Sequence, residues 1–99
     1  MNSAGRQILE KLSRNRAAIR NFGVRELSLF GSFANTGGRA DSDVDVLVRL
    51  NRKTFDAYMG LKELLERIVR RRVDLVLADA LKPRLRSRIL REAIRVPGL

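Results

Sequence analysis

The sequence predicts a small α+β fold, a mixed β-sheet with helices packed on one face. Three short runs rich in valine and leucine have the pattern of β-strands, over residues 24–30, 43–50 and 72–77. The segments before, between and after these runs repeat apolar residues at helical spacing. Because 99 residues can bury only one modest core, we predict a single domain over residues 1–99, in the order α-β-β-α-β-α.

The first part of the chain predicts a helix, a strand and a loop. Apolar residues at roughly helical spacing predict a helix over residues 4–22, and Gly23 supplies its C-terminal stop. A short strand then runs from Val24 to Phe30 and ends at Gly31-Ser32. Paired glycines and an Asp-Ser step predict a short helical turn followed by a loop over residues 33–42.

The second part of the chain repeats this alternation. A strand is predicted from Asp43 to about Leu50, and Thr54 is the expected N-cap of a helix that continues to Val69. Arg72 to Leu77 is predicted as the third strand. The remaining predictions are a turn at Asp79, a closing helix that begins near Pro83, and a tail or short edge strand over residues 96–99.

Composition limits the chemistry that the chain can perform. The absence of cysteine and histidine excludes disulfides, zinc-thiolate sites, cysteine nucleophiles and a histidine base. Catalysis must therefore depend on carboxylates and metal. Lysine and arginine number 21 against 11 acidic residues, and the formal charge of +10 favours phosphate-bearing or acidic partners. No apolar run reaches the length of a membrane span, so we predict a cytoplasmic protein.

Two carboxylates lie one residue apart on the second predicted strand. Because strand side chains alternate between faces, Asp43 and Asp45 are expected to point the same way. Asp74 places a third carboxylate within another apolar run. Carboxylates that converge repel one another unless cations neutralise them. We therefore predict a divalent metal site on Asp43, Asp45 and Asp74.

Asp74 has two simpler interpretations. It could lie on a solvated face of its strand, or it could form a salt bridge with one of the neighbouring arginines, Arg70, Arg71 and Arg72. These three arginines also suit the C-terminus of the preceding helix, where cations interact favourably with the helix dipole. The sequence pattern leaves metal ligation and the salt bridge open.

The Gly31-Ser32 step is a candidate phosphate-binding turn. A glycine at a strand end lets backbone amides approach an anion, and the serine hydroxyl adds a donor. A P-loop is excluded because Thr36 stands six positions from Gly31 by inclusive count and no Gly-Lys-Ser/Thr follows. A calcium loop that begins at Asp41 is also excluded. Its sixth position, which requires glycine, is Val46, and its twelfth position, which requires glutamate, is Arg52.

The C-terminal segment is strongly basic. A solvated helical face and a binding surface are both compatible with this charge. Only Glu92 offsets the six cations of the segment, which are Lys82, Arg84, Arg86, Arg88, Arg91 and Arg95.

The spaced motifs together carry a family resemblance. Gly31-Ser32, a ten-residue gap, Asp43-Val44-Asp45, and then Asp74 in a Val-Asp-Leu strand resemble the DNA polymerase β-type nucleotidyltransferase superfamily. The short length and the basic ending over residues 81–93 resemble in particular the minimal nucleotidyltransferases (MNT) that act as antitoxins beside HEPN-domain ribonuclease toxins. The resemblance covers the chain from about Gly23 onward, and it implies a polymerase β-like nucleotidyltransferase fold.

The resemblance also implies an activity and a partner. It implies an enzyme that transfers AMP from ATP to a tyrosine hydroxyl of a HEPN toxin and thereby silences the toxin. Two Mg²⁺ ions would be held by Asp43, Asp45 and Asp74, with Asp74 on the ion that activates the acceptor hydroxyl. Gly31 and Ser32 would hold the β- and γ-phosphates of ATP.

One departure from the family pattern keeps other functions open. Many relatives carry Ala-Arg-Gly where this chain has Ala34-Asn35-Thr36, so a cation near the phosphates is missing, and Arg39 is its candidate substitute. The alternative function is a non-catalytic antitoxin that blocks the toxin sterically and contacts nucleic acid through the arginines of residues 84–95. An enzyme that modifies a small molecule such as an aminoglycoside is less favoured, because such relatives usually add a helical domain.

Overall fold

The protein combines helices and strands throughout its length, as the sequence predicts. The computed structural model describes residues 3–35, 37–39 and 41–99, so the predictions that concern Met1, Asn2, Thr36 and Ala40 lie outside the described residues. The strands are β1 (Val24–Phe30), β2 (Val44–Leu50), β3 (Val73–Leu77) and β4 (Ile94–Arg95). The helices are α1 (Ser3–Arg14), α2 (Arg16–Arg20), α3 (Ser32–Asn35), α4 (Phe55–Val69) and α5 (Pro83–Glu92), with a 3₁₀ turn at Ala78–Ala80.

The four strands form one mixed sheet in the order β3-β2-β1-β4. Strand β2 pairs antiparallel with β1 and parallel with β3. The register places Asp45 opposite Phe30 on one side and opposite Asp74 on the other. Residues directly opposite in neighbouring strands point to the same face, so Asp45 and Asp74 share a face of the sheet.

The hydrophobic core lies between the other face of the sheet and the helices α1 and α4. Val44, Val46 and Val48 of β2 are at most 1 % exposed and belong to the same cluster as Leu12 of α1 and Leu61 of α4. The two-residue period of the strand therefore separates an apolar face from a face that carries Asp45 and Arg49. This is the arrangement expected from the sequence, with the main helices on one face.

The segment that contains α5 connects the two edges of the sheet. Strands β3 and β4 are these edges, so residues 78–93 run from one edge to the other. Asp79, at the start of this segment, contacts Arg49 at 3.3 Å, and Arg49 lies on the same face as Asp45. Leu47 of that face is only 5 % exposed although it lies outside the main core cluster. We infer that the α5 segment covers part of the carboxylate face.

The prediction of a single helix over residues 4–22 is wrong in one respect, because the chain forms two helices there, α1 and α2. The break lies at Asn15, whose side-chain amide donates to the Lys11 carbonyl at 2.8 Å. Asparagine side chains compete with the helical backbone for hydrogen bonds in this way. The break lets α2 take a new direction while Ile19 stays fully buried.

Other element boundaries shift by one to three residues. Strand β2 begins at Val44 and not at Asp43, and the last edge strand is Ile94–Arg95 and not residues 96–99. Val96 remains close to the sheet, because its N–H donates to the Leu27 carbonyl at 2.8 Å. The predicted N-cap is confirmed, since Thr54 Oγ1 accepts from the Ala57 N–H at 3.1 Å. Among the residues described, no helix is both long and apolar enough to span a membrane.

Candidate active site

Asp45 and Asp74 form the centre of the site. The parallel pairing of β2 and β3 sets them side by side on one face of the sheet. Burial raises the pKa of the Asp45 carboxyl above its usual value, and the charges of Asp74 and Asp43 raise it further. Two carboxylates held this close favour a shared proton or a shared cation.

Asp43 lies at the margin of this pair. It precedes β2 and its side chain is exposed, although its charge still acts on Asp45. The salt bridge considered as a rival role for Asp74 is not formed, because within the described part of the chain no ion pair joins Asp74 to Arg70, Arg71 or Arg72. Asp45 and Asp74 therefore meet, with Asp43 beside them.

The donor set suits a hard divalent cation. Carboxylate oxygens are the ligands that Mg²⁺ prefers in proteins. A cation between Asp45 and Asp74 would also offset the repulsion that raises the Asp45 pKa. Across residues 3–35, 37–39 and 41–99, however, no three acidic, histidine or cysteine side chains stand ready as a metal-binding group. The residues fit the metal by their chemistry, and Asp43 would have to approach the pair to complete the set.

The Gly31-Ser32 turn lies directly against Asp45. Gly31 follows the end of β1 with a φ of 73°, a conformation that glycine adopts without strain. A Cβ atom at this position would overlap the Asp45 carboxylate and lie 2.9 Å from its Cγ. The structure therefore brings the candidate phosphate turn into contact with Asp45, the central candidate carboxylate, which the spacing along the sequence could not show.

Asn35, which departs from the family pattern, and Arg39, the candidate substitute for the missing cation, have partners of their own. Asn35, at the end of α3, donates to Glu92 of α5 at 3.4 Å. Arg39 is exposed and its carbonyl accepts from Arg71 Nη1 at 3.3 Å. No pattern of spacing in the sequence indicates the Asn35–Glu92 pair, because the two residues lie 57 positions apart.

The C-terminal cations lie mainly on α5, which buries none of its residues. Arg88 is ion-paired with Glu92 at 3.6 Å and its side chain remains 71 % exposed. Leu85 and Leu90, at 43 % and 42 % exposed, interrupt the row of arginines. Helix α5 thus presents to solvent a surface that mixes cations with two leucines.

A second charged group anchors the start of the α5 segment. Asp79 contacts Lys53 at 2.6 Å and Arg49 at 3.3 Å, and Arg49 also contacts Glu26 at 3.3 Å. The hydrogen bond and charge of Lys53 hold the pKa of the Asp79 carboxyl below its usual value. This group joins β1, β2 and the 3₁₀ turn, and it has the character of a structural ion-pair network.

Paired strand carboxylates against a Gly-Ser turn, on a small mixed sheet, are the arrangement expected of a nucleotidyltransferase. The chain matches the nucleotidyltransferase domain family over residues 6–96, almost its full length, and it belongs to this family. The recognition drawn from the sequence motifs is thereby confirmed, as is the assignment to the nucleotidyltransferase class of enzymes.

Individual relatives show which kinds of nucleotidyltransferase the chain resembles. The chain is 40 % identical over 76 residues to protein adenylyltransferase MntA of Thermococcus cleftensis, a match that covers 76 % of this chain and 77 % of the relative. A solved structure described as a candidate minimal nucleotidyltransferase is also 40 % identical, with a TM-score of 0.73 over 87 % of this chain and 93 % of that chain.

A further solved structure shares the fold at lower sequence identity. It is described as a tri-AMPylated HEPN toxin of Shewanella oneidensis in complex with an MNT antitoxin. The identity is 18 % and the TM-score is 0.64, and the match covers 92 % of this chain and 73 % of that chain. At this identity the likeness concerns the fold.

Proposed function

We propose that this protein is an antitoxin that transfers AMP from ATP to a tyrosine hydroxyl of a partner HEPN ribonuclease toxin. The observation that carries the proposal is the contact between the Gly31 turn and Asp45, which lies beside Asp74 on the sheet. A triphosphate held at the turn would present its α-phosphate to the carboxylates. The 40 % identity to a protein named as an adenylyltransferase supports protein as the acceptor class.

Different residues would bind the nucleotide and support the chemical step. The Gly31 amide and the Ser32 hydroxyl would donate to the β- and γ-phosphates. Asp43, Asp45 and Asp74 would hold Mg²⁺, which when bound neutralises charge on the phosphates and lowers the pKa of the acceptor hydroxyl. Asp74 is the more exposed member of the central pair and is accessible to a hydroxyl from a partner.

The proposed reaction balances as an in-line displacement. The tyrosine oxygen forms a bond to the α-phosphorus of ATP, and the bond from that phosphorus to the bridging oxygen of the β-phosphate breaks. Pyrophosphate leaves, and the phenolic proton passes to Asp74 and then to water. The chain needs no histidine for this step, in agreement with its composition.

The test is label transfer from ATP in the presence of magnesium and the partner toxin. Asp43→Asn combined with Asp45→Asn should abolish transfer and leave the fold intact, because the change removes like charges that repel one another. Asp41→Asn combined with Asp56→Asn is the matched control, since both of these aspartates are exposed and lie outside the carboxylate pair. Undiminished transfer by the folded Asp43/Asp45 variant would refute the assignment of these residues.

A steric antitoxin without catalysis is the second candidate. It is favoured by one observation, that position 35 carries no cation and Asn35 is instead bonded to Glu92. The two functions differ in how inhibition depends on time. An enzyme needs only transient docking and should silence the toxin permanently, whereas a steric inhibitor must stay bound. Removing the protein after incubation, and then measuring ribonuclease activity, distinguishes them.

A further inference from the structure

Arg71 contacts two segments that flank the candidate active site. Its guanidinium lies 4.9 Å from the centre of the Phe33 ring, a cation–π distance. Its Nη1 donates to the Arg39 carbonyl at 3.3 Å. Phe33 follows Ser32 directly in the sequence, and Arg71 itself lies three residues before Asp74. One side chain thus joins the neighbourhoods of the phosphate turn and of the third carboxylate.

The Phe33 ring also supports the chain that returns from α3. Phe33 is 1 % exposed, and a Cβ atom on Gly38 would lie 2.6 Å from its Cζ. The backbone of Gly38 therefore rests on the ring, with a φ of 65°. The Gly37 N–H closes the same turn by donating to the Ser32 carbonyl at 2.8 Å. The aromatic ring is enclosed between a glycine backbone and the Arg71 guanidinium.

Hydrogen bonds connect Arg39 to Ser42, just before the start of β2. The Arg39 N–H donates to Ser42 Oγ at 3.0 Å, and the Ser42 N–H donates to the Arg39 carbonyl at 3.1 Å. Asp43 comes next in the chain. The Val44 N–H donates to the Arg72 carbonyl at 2.9 Å, so the first residue of β2 is bonded to the residue next to Arg71. Arg71 is therefore connected, through Arg39 on one side and Arg72 on the other, to Ser42 and Val44, the residues on either side of Asp43.

We propose that Arg71 is a positioning residue for AMP transfer, which sets the places of Asp43 and Arg39 relative to the Gly31-Ser32 turn. This inference rests on the proposed function. Among the described residues Asp43, Asp45 and Asp74 do not yet form a three-carboxylate metal group, so the approach of Asp43 to Asp45 depends on the segment that Arg71 contacts. A planar guanidinium can stack on the ring and donate in its own plane at the same time, a geometry that the compact ammonium group of lysine does not reproduce.

The expected effect is on rate more than on stability. Phe33 would keep its burial against the core without Arg71, because the ring belongs to the main hydrophobic cluster. A displacement of catalytic groups by about 1 Å can lower a rate by roughly 100-fold. We expect Arg71→Met to lower kcat by about 10- to 100-fold with a smaller change in KM for ATP.

The experiment compares Arg71→Met, Arg71→Lys and the control Arg72→Met. Arg72 is the exposed neighbour, and only its backbone takes part in these contacts. AMP transfer is measured with the toxin, Tm by thermal unfolding, and hydrogen exchange in peptides that cover residues 33–43. Arg71→Met should lose rate and exchange faster in this segment, Arg71→Lys should not restore the parent behaviour, and Arg72→Met should resemble the parent.

Three outcomes would overturn the inference. Parent rates in Arg71→Met, or full rescue by lysine, would show that the guanidinium does not position the site. If the parent transfers no AMP, the proposed function is wrong and hydrogen exchange decides alone. Faster exchange of residues 33–43 in Arg71→Met then supports the positioning role in the apoprotein, and unchanged exchange refutes it.

Discussion

At the scale of single residues, the candidate site depends on one glycine and the carboxylate that it touches. Gly31 allows the chain to turn at the end of β1 with a positive φ, and the missing Cβ leaves the space that Asp45 occupies. Position 31 must therefore allow a positive φ and also leave space for the Asp45 carboxylate. A side chain there would strain the backbone and displace the central carboxylate.

We predict that Gly31→Ala abolishes AMP transfer and also destabilises the protein. An alanine in the left-handed region costs about 1–2 kcal/mol in the free energy of unfolding, and the overlap with Asp45 adds to this cost. Gly98→Ala is the matched control, because Gly98 has a φ of 86° and its Cβ would meet only the flexible Arg16 side chain. Urea unfolding and label transfer are measured. A Gly31→Ala protein with parent activity would contradict the proposed role of the turn.

We predict that Ser32→Ala weakens ATP binding far more than it weakens folding. A hydrogen bond to a charged phosphate contributes about 1.5–3 kcal/mol, which corresponds to roughly a 10- to 100-fold rise in Kd. Ser87→Ala on the exposed helix α5 is the control. Titration with Mg²⁺ and a non-hydrolysable ATP analogue gives the Kd values. Equal affinity of Ser32→Ala and parent would remove Ser32 from the phosphate site.

At the scale of elements, α5 is the helix that contributes least to the buried core. It starts with Pro83 at its first position, where the missing N–H is no loss, and it ends at Ala93 in an extended conformation. It buries no residue, yet it carries Arg84, Arg86, Arg88 and Arg91. A helix that contributes so little to the core is available for a partner.

We predict that Arg88→Glu with Arg91→Glu slows association with the toxin. Reversing these charges removes attraction to an acidic surface, and the effect should shrink with salt because the Debye length is about 8 Å at physiological ionic strength. Arg6→Glu with Arg14→Glu on α1 is the control, since Arg14 is exposed and ion-paired with Glu10 at 3.8 Å as Arg88 is with Glu92. Association rates are measured at low and high salt. Equal slowing by both pairs would show that only net charge matters.

We predict that Asp79→Asn lowers stability near neutral pH but not in acid. The pKa of Asp79 is lowered in the folded state, so its stabilising contribution is present above the ordinary carboxyl pKa of 3.8 and is lost as the pH falls through the folded value. Urea unfolding of parent and variant is compared at about pH 7 and below about pH 3. Lys53→Met should remove the same contribution, so the double variant should be less destabilised than the sum of the two single variants. A difference that persists in acid would contradict the ion pair as its cause.

At the scale of the whole molecule, the site exists only where separate parts of the chain meet. The end of β1 contributes Gly31, and β2 and β3 contribute Asp45 and Asp74 side by side. The three segments are held by one core under α1 and α4. Binding at such a junction should therefore stabilise the entire fold.

We predict that Mg²⁺ with a non-hydrolysable ATP analogue raises the Tm of the parent. At a ligand concentration of about 100 Kd the gain is about 2.7 kcal/mol, or roughly 10 °C or more for a domain of this size. Chelation with EDTA should reverse the rise, and Asp43→Asn with Asp45→Asn should show none. The same rise in that double variant would place the ligand elsewhere.

Much of the fold could be predicted from local patterns. The α+β class, the three predicted strands β1 to β3 and the Thr54 cap are confirmed. They follow from side-chain periodicity and capping, which act over a few residues. The division of the first helix at Asn15 was missed because an asparagine within an otherwise periodic run gives no clear signal before its hydrogen bond is known.

The sequence by itself determined which residue types could perform the chemistry. Without histidine or cysteine, only carboxylates remained, and the alternation of β2 assigned Asp45 to the face opposite the core. The tertiary structure alone decided which of these residues meet. Strand register set Asp45 beside Asp74, the strand boundary left Asp43 at the margin, and long-range packing brought Arg71 onto Phe33. Register and packing are settled by contacts between residues far apart in the chain, and local patterns carry no information about them.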